Sequence, residues 1–175
     1  MSEIIEIRES LPSDLSSIEK IYPDAFPEQD LLPLVRELLQ ETPIVLSLVG
    51  ITGTSLVGHV IFTACGITAG TEKVALLGPI AVASVWQRQG IGSAIVRAGL
   101  QRLDKSGVTQ VYVLGDPAYY GRFGFVPEVG IAPPYPLPAE WRGAWQSIDL
   151  HSAEPPRRGK LSVPQPWHQP GLWTP

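Results

Sequence analysis

The chain has 175 residues, 44% of them hydrophobic and 17% charged, enough for one domain, or a domain with an appendage, around a sizeable core. A net charge of −4 argues against a nucleic-acid binder, which needs a basic face for phosphates. No apolar stretch is long enough to span a bilayer, and Met1-Ser2-Glu3 lacks the basic start and apolar run of a signal peptide. The lone cysteine, Cys65, excludes an internal disulfide, so a reducing cytoplasm is the expected compartment.

In chain order, Ile4 to Arg8 reads as a first strand. Pro12-Ser13-Asp14 then starts a helix that Ser13 or Asp14 can cap, with Leu15, Ile18 and Ile21 at near-helical spacing until Pro23 and Pro27 break the pattern. Leu31 to Gln40 predicts a second helix, ended near Glu41-Thr42-Pro43, with Pro33 tolerable only in its first turn. Pro43 to Ile51 and Leu56 to Ile67 predict two strands joined by the hairpin turn Thr52-Gly53-Thr54-Ser55. In the second of these, Val57, His59, Ile61, Thr63 and Cys65 share one face. His59 has no second histidine or carboxylate at metal-ligand spacing, and Cys65 has no sequence-local base; both read as core residues, and no metal is expected. Ala69 to Glu72 turns the chain, and Lys73 to Val82 predicts the next strand.

That strand runs directly into Gln87-Arg88-Gln89-Gly90-Ile91-Gly92-Ser93, after which Ile91, Ala94, Ile95 and Ala98 recur at helical spacing. The first turn of a helix has unpaired backbone N–H groups and an electropositive dipole end. Glycines there remove the side chains that would keep an anion away, so Gly90 and Gly92 suggest a phosphate site. A dinucleotide turn would need a third glycine where Ile95 stands, and a triphosphate loop would need Gly-Lys followed by Ser or Thr, which is absent. What remains is Gln-x-x-Gly-x-Gly after a strand. A second motif follows a helix ending near Gly107 and a strand from Val108 to Leu114: Asp116 can cap a short helix carrying Tyr119 and Tyr120, with Gly124-Phe125 four residues beyond Tyr120.

The two motifs in this order resemble the GNAT superfamily of acetyl-CoA-dependent N-acetyltransferases over roughly residues 3–130. Strands separated by a helix, with the phosphate loop between them, themselves indicate an α/β sheet with a central parallel pair. The resemblance implies an α+β fold in which a mixed, mostly antiparallel sheet splays at that pair, flanked by helices. It also implies acetyl-CoA as co-substrate, its pantetheine bonded to the backbone of Ile80, Ala81 and Val82 and its pyrophosphate on Gln87, Arg88, Gln89, Gly90, Ile91, Gly92 and Ser93. The first two helices and their connection would border the acceptor pocket, which Tyr22 and Phe26 could line, although core packing accounts for either ring better, and homodimerisation would follow family habit. The acceptor class left open is a small-molecule or peptide amine, and the rival readings are a longer acyl donor on the same fold or a non-catalytic acyl-CoA-binding or regulatory module.

Such a transfer needs a neutral amine, yet a lysine-type amine has a pKa near ~10.4. The departing thiolate, with a thiol pKa around ~8.5 by analogy with cysteine, leaves better if it is protonated. The resemblance gives the role of proton donor to Tyr120, with Tyr119, about 100° away on the helix, as the neighbouring alternative. Backbone N–H near Val82 can hold the oxyanion. The strand Val74 to Val82 offers no carboxylate as base; Asp116 could act through an ordered water, but its cap role explains it equally well.

Beyond Pro127 the composition changes: eleven of the eighteen prolines lie from there onward, densest at Pro133 to Pro138, and predict extended loop. Ala144 to Leu150 predicts a strand for the sheet edge. Residues 1–150 are therefore read as the transferase domain and 151–175 as a C-terminal arm, either pinned by Trp167 and Trp173 or flexible.

Overall fold

A computed structural model describes residues 4–40, 44–68, 70–150 and 158–173. The expected helix stop at residues 41–43, the turn residue Ala69 and the start of the tail at 152–157 lie outside the described residues. Packing divides the chain into two units, residues 1–62 with 78–102, and residues 63–77 with 103–175.

The first unit carries β1 (Glu6–Glu9), α1 (Leu15–Ala25), α2 (Leu32–Gln40), β2 (Ile44–Thr52), most of β3 (Ser55–Ile67), the end of β4 (Val74–Val82) and most of α3 (Ile91–Lys105). Its strands lie in the order β1-β2-β3-β4, with β1 antiparallel to β2 from Glu6↔Ile51 to Glu9↔Leu48. A 3-10 turn at Pro12–Asp14 precedes α1, so the helix starts one step later than its cap signal suggests. Asp14 holds this entry: its carboxylate accepts the Leu11 N–H at 2.7 Å and the two terminal Arg8 guanidinium N–H groups at 2.8 and 3.0 Å.

Pro23 does not break α1, which continues to Ala25. At that position the ring removes one N–H in the last turn only, and the Phe26 N–H still closes the helix onto the Tyr22 carbonyl at 2.8 Å. Pro33 lies in the first turn of α2, where its missing donor is unneeded. Close approach fixes α3: a Cβ on Gly58 would lie 2.5 Å from the Ile95 Cδ1, and one on Gly99 only 2.3 Å from the Phe62 ring. The bare Cα atoms at Gly58 and Gly99 thus let the helix seat Ile91, Ile95 and Val96, all buried, directly on the strands.

The second unit contains the start of β4, β5 (Gln110–Leu114), α4 (Pro117–Tyr120), β6 (Val126–Pro127), β7 (Ile131–Ala132), β8 (Trp145–Asp149) and β9 (Gly159–Ser162), in the sheet order β4-β5-β8-β6. The pair β4–β5 is parallel, from Val74↔Gln110 to Leu76↔Tyr112; no further pairs form, although β4 continues to Val82 and β5 to Leu114. Pro79, within that continuation, has no N–H to donate.

The strand expected at the sheet edge is β8, and it is interior. It pairs with all five residues of β5 on one side and with Val126 and Pro127 on the other. Period and propensity mark a strand, but its neighbours are set by contacts remote in sequence. Along the second unit a ring column runs from Tyr112, stacked on Trp145 at 5.6 Å, through Trp173 to Trp167 at 5.9 Å each. Each indole N–H in this column is satisfied: Trp145 donates to the Ile131 carbonyl, Trp167 to the Thr63 hydroxyl and Trp173 to the Trp167 carbonyl. The segment 158–173 is therefore pinned, with β9 also paired to β3 and to β7.

Candidate active site

Between β4 and α3 the chain makes a 3-10 turn at Ser84–Trp86 and then the glycine-bearing loop, all in the first unit. Side-chain amides brace the loop from within: Gln87 donates to the Val82 carbonyl at 3.0 Å and Gln89 to the Val85 carbonyl at 3.2 Å. Arg88 has φ 63° and Gly90 φ 83°. The left-handed region is natural for glycine but costs an arginine on the order of 1–2 kcal/mol. In this stretch Arg88, Gln89 and Gly90 are exposed.

The first intrahelical bond at this end runs from the Ala94 N–H to the Gly90 carbonyl at 3.0 Å. Helix geometry then leaves the N–H groups of Ile91, Gly92 and Ser93 directed out of the first turn. A Cβ built on Gly90 would meet nothing within 4 Å, so the space beside Gly90 is open. Outward amides, the positive end of a 15-residue helix dipole and an exposed Arg88 suit a pyrophosphate group. Ile80, Ala81 and Val82, on the last turn-ward stretch of β4, lie in the same unit as this loop.

A cavity of about 330 Å³ opens in the first unit at the α1–α2 connection. Tyr22 and Phe26 line it, their rings stacked at 6.4 Å, together with Glu28 and Asp30. Tyr22 itself is fixed from behind. Its hydroxyl is 2.8 Å from His59 Nδ1, His59 Nε2 is 2.9 Å from the Ser47 hydroxyl, and Ser10 donates to Ser47 at 2.7 Å. Burial lowers the His59 pKa to about 3, only partly countered by Asp14, so the ring is neutral and offers one donor and one acceptor. Burial raises the Tyr22 phenol in turn. His59 is thus a core polar bridge between β3, β2 and α1. Among the described residues no group of histidines, cysteines and carboxylates could hold a metal. Burial also pushes the Cys65 thiol up to about 12, which leaves it un-ionised and unreactive as a nucleophile.

Tyr120 belongs to the second unit. Asp116 caps α4 as expected, accepting the Ala118 N–H at 2.9 Å. The Tyr120 ring is 9% exposed and packs edge-on against Tyr119 and Phe125. Gly115 makes room for it, since a Cβ there would sit 2.4 Å from the ring. Among the described residues its hydroxyl has no hydrogen-bond partner, and burial, then Tyr119 and Asp116, raises its pKa. Tyr119 is half-buried, with the Arg122 guanidinium 4.6 Å above its ring. Sequence reasoning missed Asp24, whose carboxylate grips Ser84 sixty residues away; no local pattern marks such a contact.

The sequence pattern of the Acetyltransferase (GNAT) family matches residues 15–125, and the chain belongs to that family. Among similar proteins, the uncharacterized N-acetyltransferase YjhQ of Escherichia coli K12 is 33% identical over 150 residues, covering 82% of each chain. YhbS of the same strain, another uncharacterized N-acetyltransferase, is 28% identical over 146 residues, covering 83% of this chain and 85% of that one. The crystal structure of Escherichia coli YhbS in complex with CoA superposes with a TM-score of 0.86 over 97% of this chain and 94% of that one, at 24% identity. A GNAT acetyltransferase of Brucella melitensis in complex with acetyl-CoA gives 0.76 over 95% and 99%, at 25% identity.

Proposed function

We propose that this chain transfers an acetyl group from acetyl-CoA to a primary amine by direct attack in a ternary complex, with Tyr120 donating a proton to the departing thiolate. One observation carries the reading: the strained, open loop Gln87 to Ser93, with its outward amides at the start of α3, in a chain of the GNAT family. The CoA and acetyl-CoA complexes of the structural relatives support the choice of co-substrate. When bound, acetyl-CoA supplies the activated acetyl group. The chain contributes backbone donors at Ile80, Ala81 and Val82 for the pantetheine and the loop amides for the pyrophosphate. The 330 Å³ cavity takes the amine.

Tyr120, buried and high in pKa, remains protonated until needed. Burial weakens it as an acid, but the same dry surroundings raise the proton affinity of a thiolate forming nearby, so donation keeps its driving force as charge develops. Glu28 and Asp30 line the cavity that takes the amine and are its carboxylates, while an amine of lower pKa than lysine would need no base. A reducing cytoplasm suits the lone, un-ionised Cys65. Among the described residues no helix is long and apolar enough to cross a membrane.

The test is release of free CoA on mixing protein, acetyl-CoA and a panel of primary amines. Tyr120→Phe should lower kcat by roughly 10²–10⁴ with little change in acetyl-CoA affinity, the range typical of lost general-acid help. Tyr119→Phe should be milder. Normal turnover in Tyr120→Phe, with only a lower melting temperature, would make Tyr120 a packing residue. Binding without release across the whole panel would make the chain an acyl-CoA-binding module.

A further inference from the structure

Within the first unit, a clasp joins the turn that leads into the loop to the helix that lines the cavity. Asp24 Oδ2 accepts the backbone N–H of Ser84 at 2.7 Å, and Oδ1 accepts the Ser84 hydroxyl at 2.8 Å. Ser84 opens the 3-10 turn that carries the chain from β4 into the Gln87–Ser93 loop. Asp24 stands in the last turn of α1, between Tyr22 and Phe26, both of which line the 330 Å³ cavity. The two Ser84 hydrogen bonds hold the Asp24 carboxyl below the usual carboxylate range, so both bonds are charge-assisted at neutral pH. Gln87, three residues beyond Ser84, ties the same turn back to Val82. A rigid turn therefore links the backbone at the loop to one wall of the cavity.

We propose that the Asp24–Ser84 clasp couples the two binding sites: a ligand that orders the loop also stiffens the cavity wall, and so favours the amine. Asp24 is in this scheme a positioning residue. The proposal rests on the reading that the loop takes acetyl-CoA and the cavity takes the acceptor. Coupling of this kind is a free energy shared by both sites and is therefore reciprocal. The first ligand bears the ordering cost that the second then avoids, which raises affinity without a new contact.

Hydrogen exchange with CoA as the probe separates the two ideas. In the parent protein CoA should slow exchange at loop amides 90–93 and also at cavity-wall amides 26–32. In Asp24→Ala protection at 90–93 should persist while protection at 26–32 is lost. Asp24→Asn, which keeps an uncharged acceptor, should fall between. In steady state, Asp24→Ala should raise the amine KM about 5- to 150-fold, the span of ordinary couplings, with kcat near the parent value. Asp24 is exposed, so the variants should fold, and a thermal melt checks it. Protection at 26–32 that survives in Asp24→Ala, or that never appears in the parent, overturns the clasp while leaving the cofactor reading intact. Absence of protection at 90–93 in the parent overturns both.

Discussion

His59 is held by two hydroxyls and is fully buried, and its neutrality is part of the packing. Free histidine takes a proton near pH ~6.5, whereas His59 resists one until about pH 3. Between those values the unfolded chain binds a proton that the folded chain refuses, so stability is full above pH ~6.5 and declines as pH falls through the window. The slope from this one group is at most about 1.4 kcal/mol per pH unit. His59→Gln, whose amide can also donate and accept, should flatten the melting temperature against pH between about 6.5 and 4. Asp14 and Asp24, both lowered by their partners, contribute stability that is lost only at more acid pH, in and below the ordinary carboxylate range, so the histidine effect is separable. An unchanged slope in His59→Gln would mean that the ring is already protonated in the folded protein.

At the scale of elements, α3 has two jobs that different residues perform. Gly58 and Gly99 let its middle lie close on β3, while Gly90 opens onto free space at its N-terminus and Gly92 adds no side chain to the first turn. Gly92→Asp separates the jobs. A carboxylate in the first turn favours the helix dipole, so the ligand-free melting temperature should hold or rise slightly. The same charge and bulk stand where the proposed pyrophosphate would sit, so the thermal shift given by acetyl-CoA should vanish. Equal shifts in parent and mutant would remove the loop from the site. The interior position of β8 shows the opposite dependence: nothing local in Trp145 to Asp149 marks it as central, and its register is set by β5 and β6.

For the whole molecule, the C-terminal segment is structural material of the second unit. Trp173 is 1% exposed and lies between Trp145 and Trp167, with its N–H on the Trp167 carbonyl. Trp173→Ala should cost about 3–5 kcal/mol, the range for removing a buried large aromatic. Acetyl-CoA affinity, measured where the variant is still folded, should change far less. Truncation after Leu150 removes β9 and Trp167 as well and should be more damaging still. A truncated protein with normal melting behaviour but lost cofactor binding would move the tail into the binding site.

The strand-to-loop-to-helix passage at Val82 to Ser93, the turn at Gly53, the helix end at Gly107 and the Asp116 cap were all legible in the sequence. Each is decided by bonds and dihedral preferences within a few residues, which the chain carries wherever it goes. So was the parallel pair, since a helix between two apolar strands leaves few ways to close a sheet. The continuation of α1 through Pro23, the central place of β8, the Asp24–Ser84 clasp, the His59 bridge and the tryptophan column were decided only by the tertiary structure. Each depends on which distant surface is brought into contact, and burial rather than local preference then selects the partner and, for His59, the protonation state.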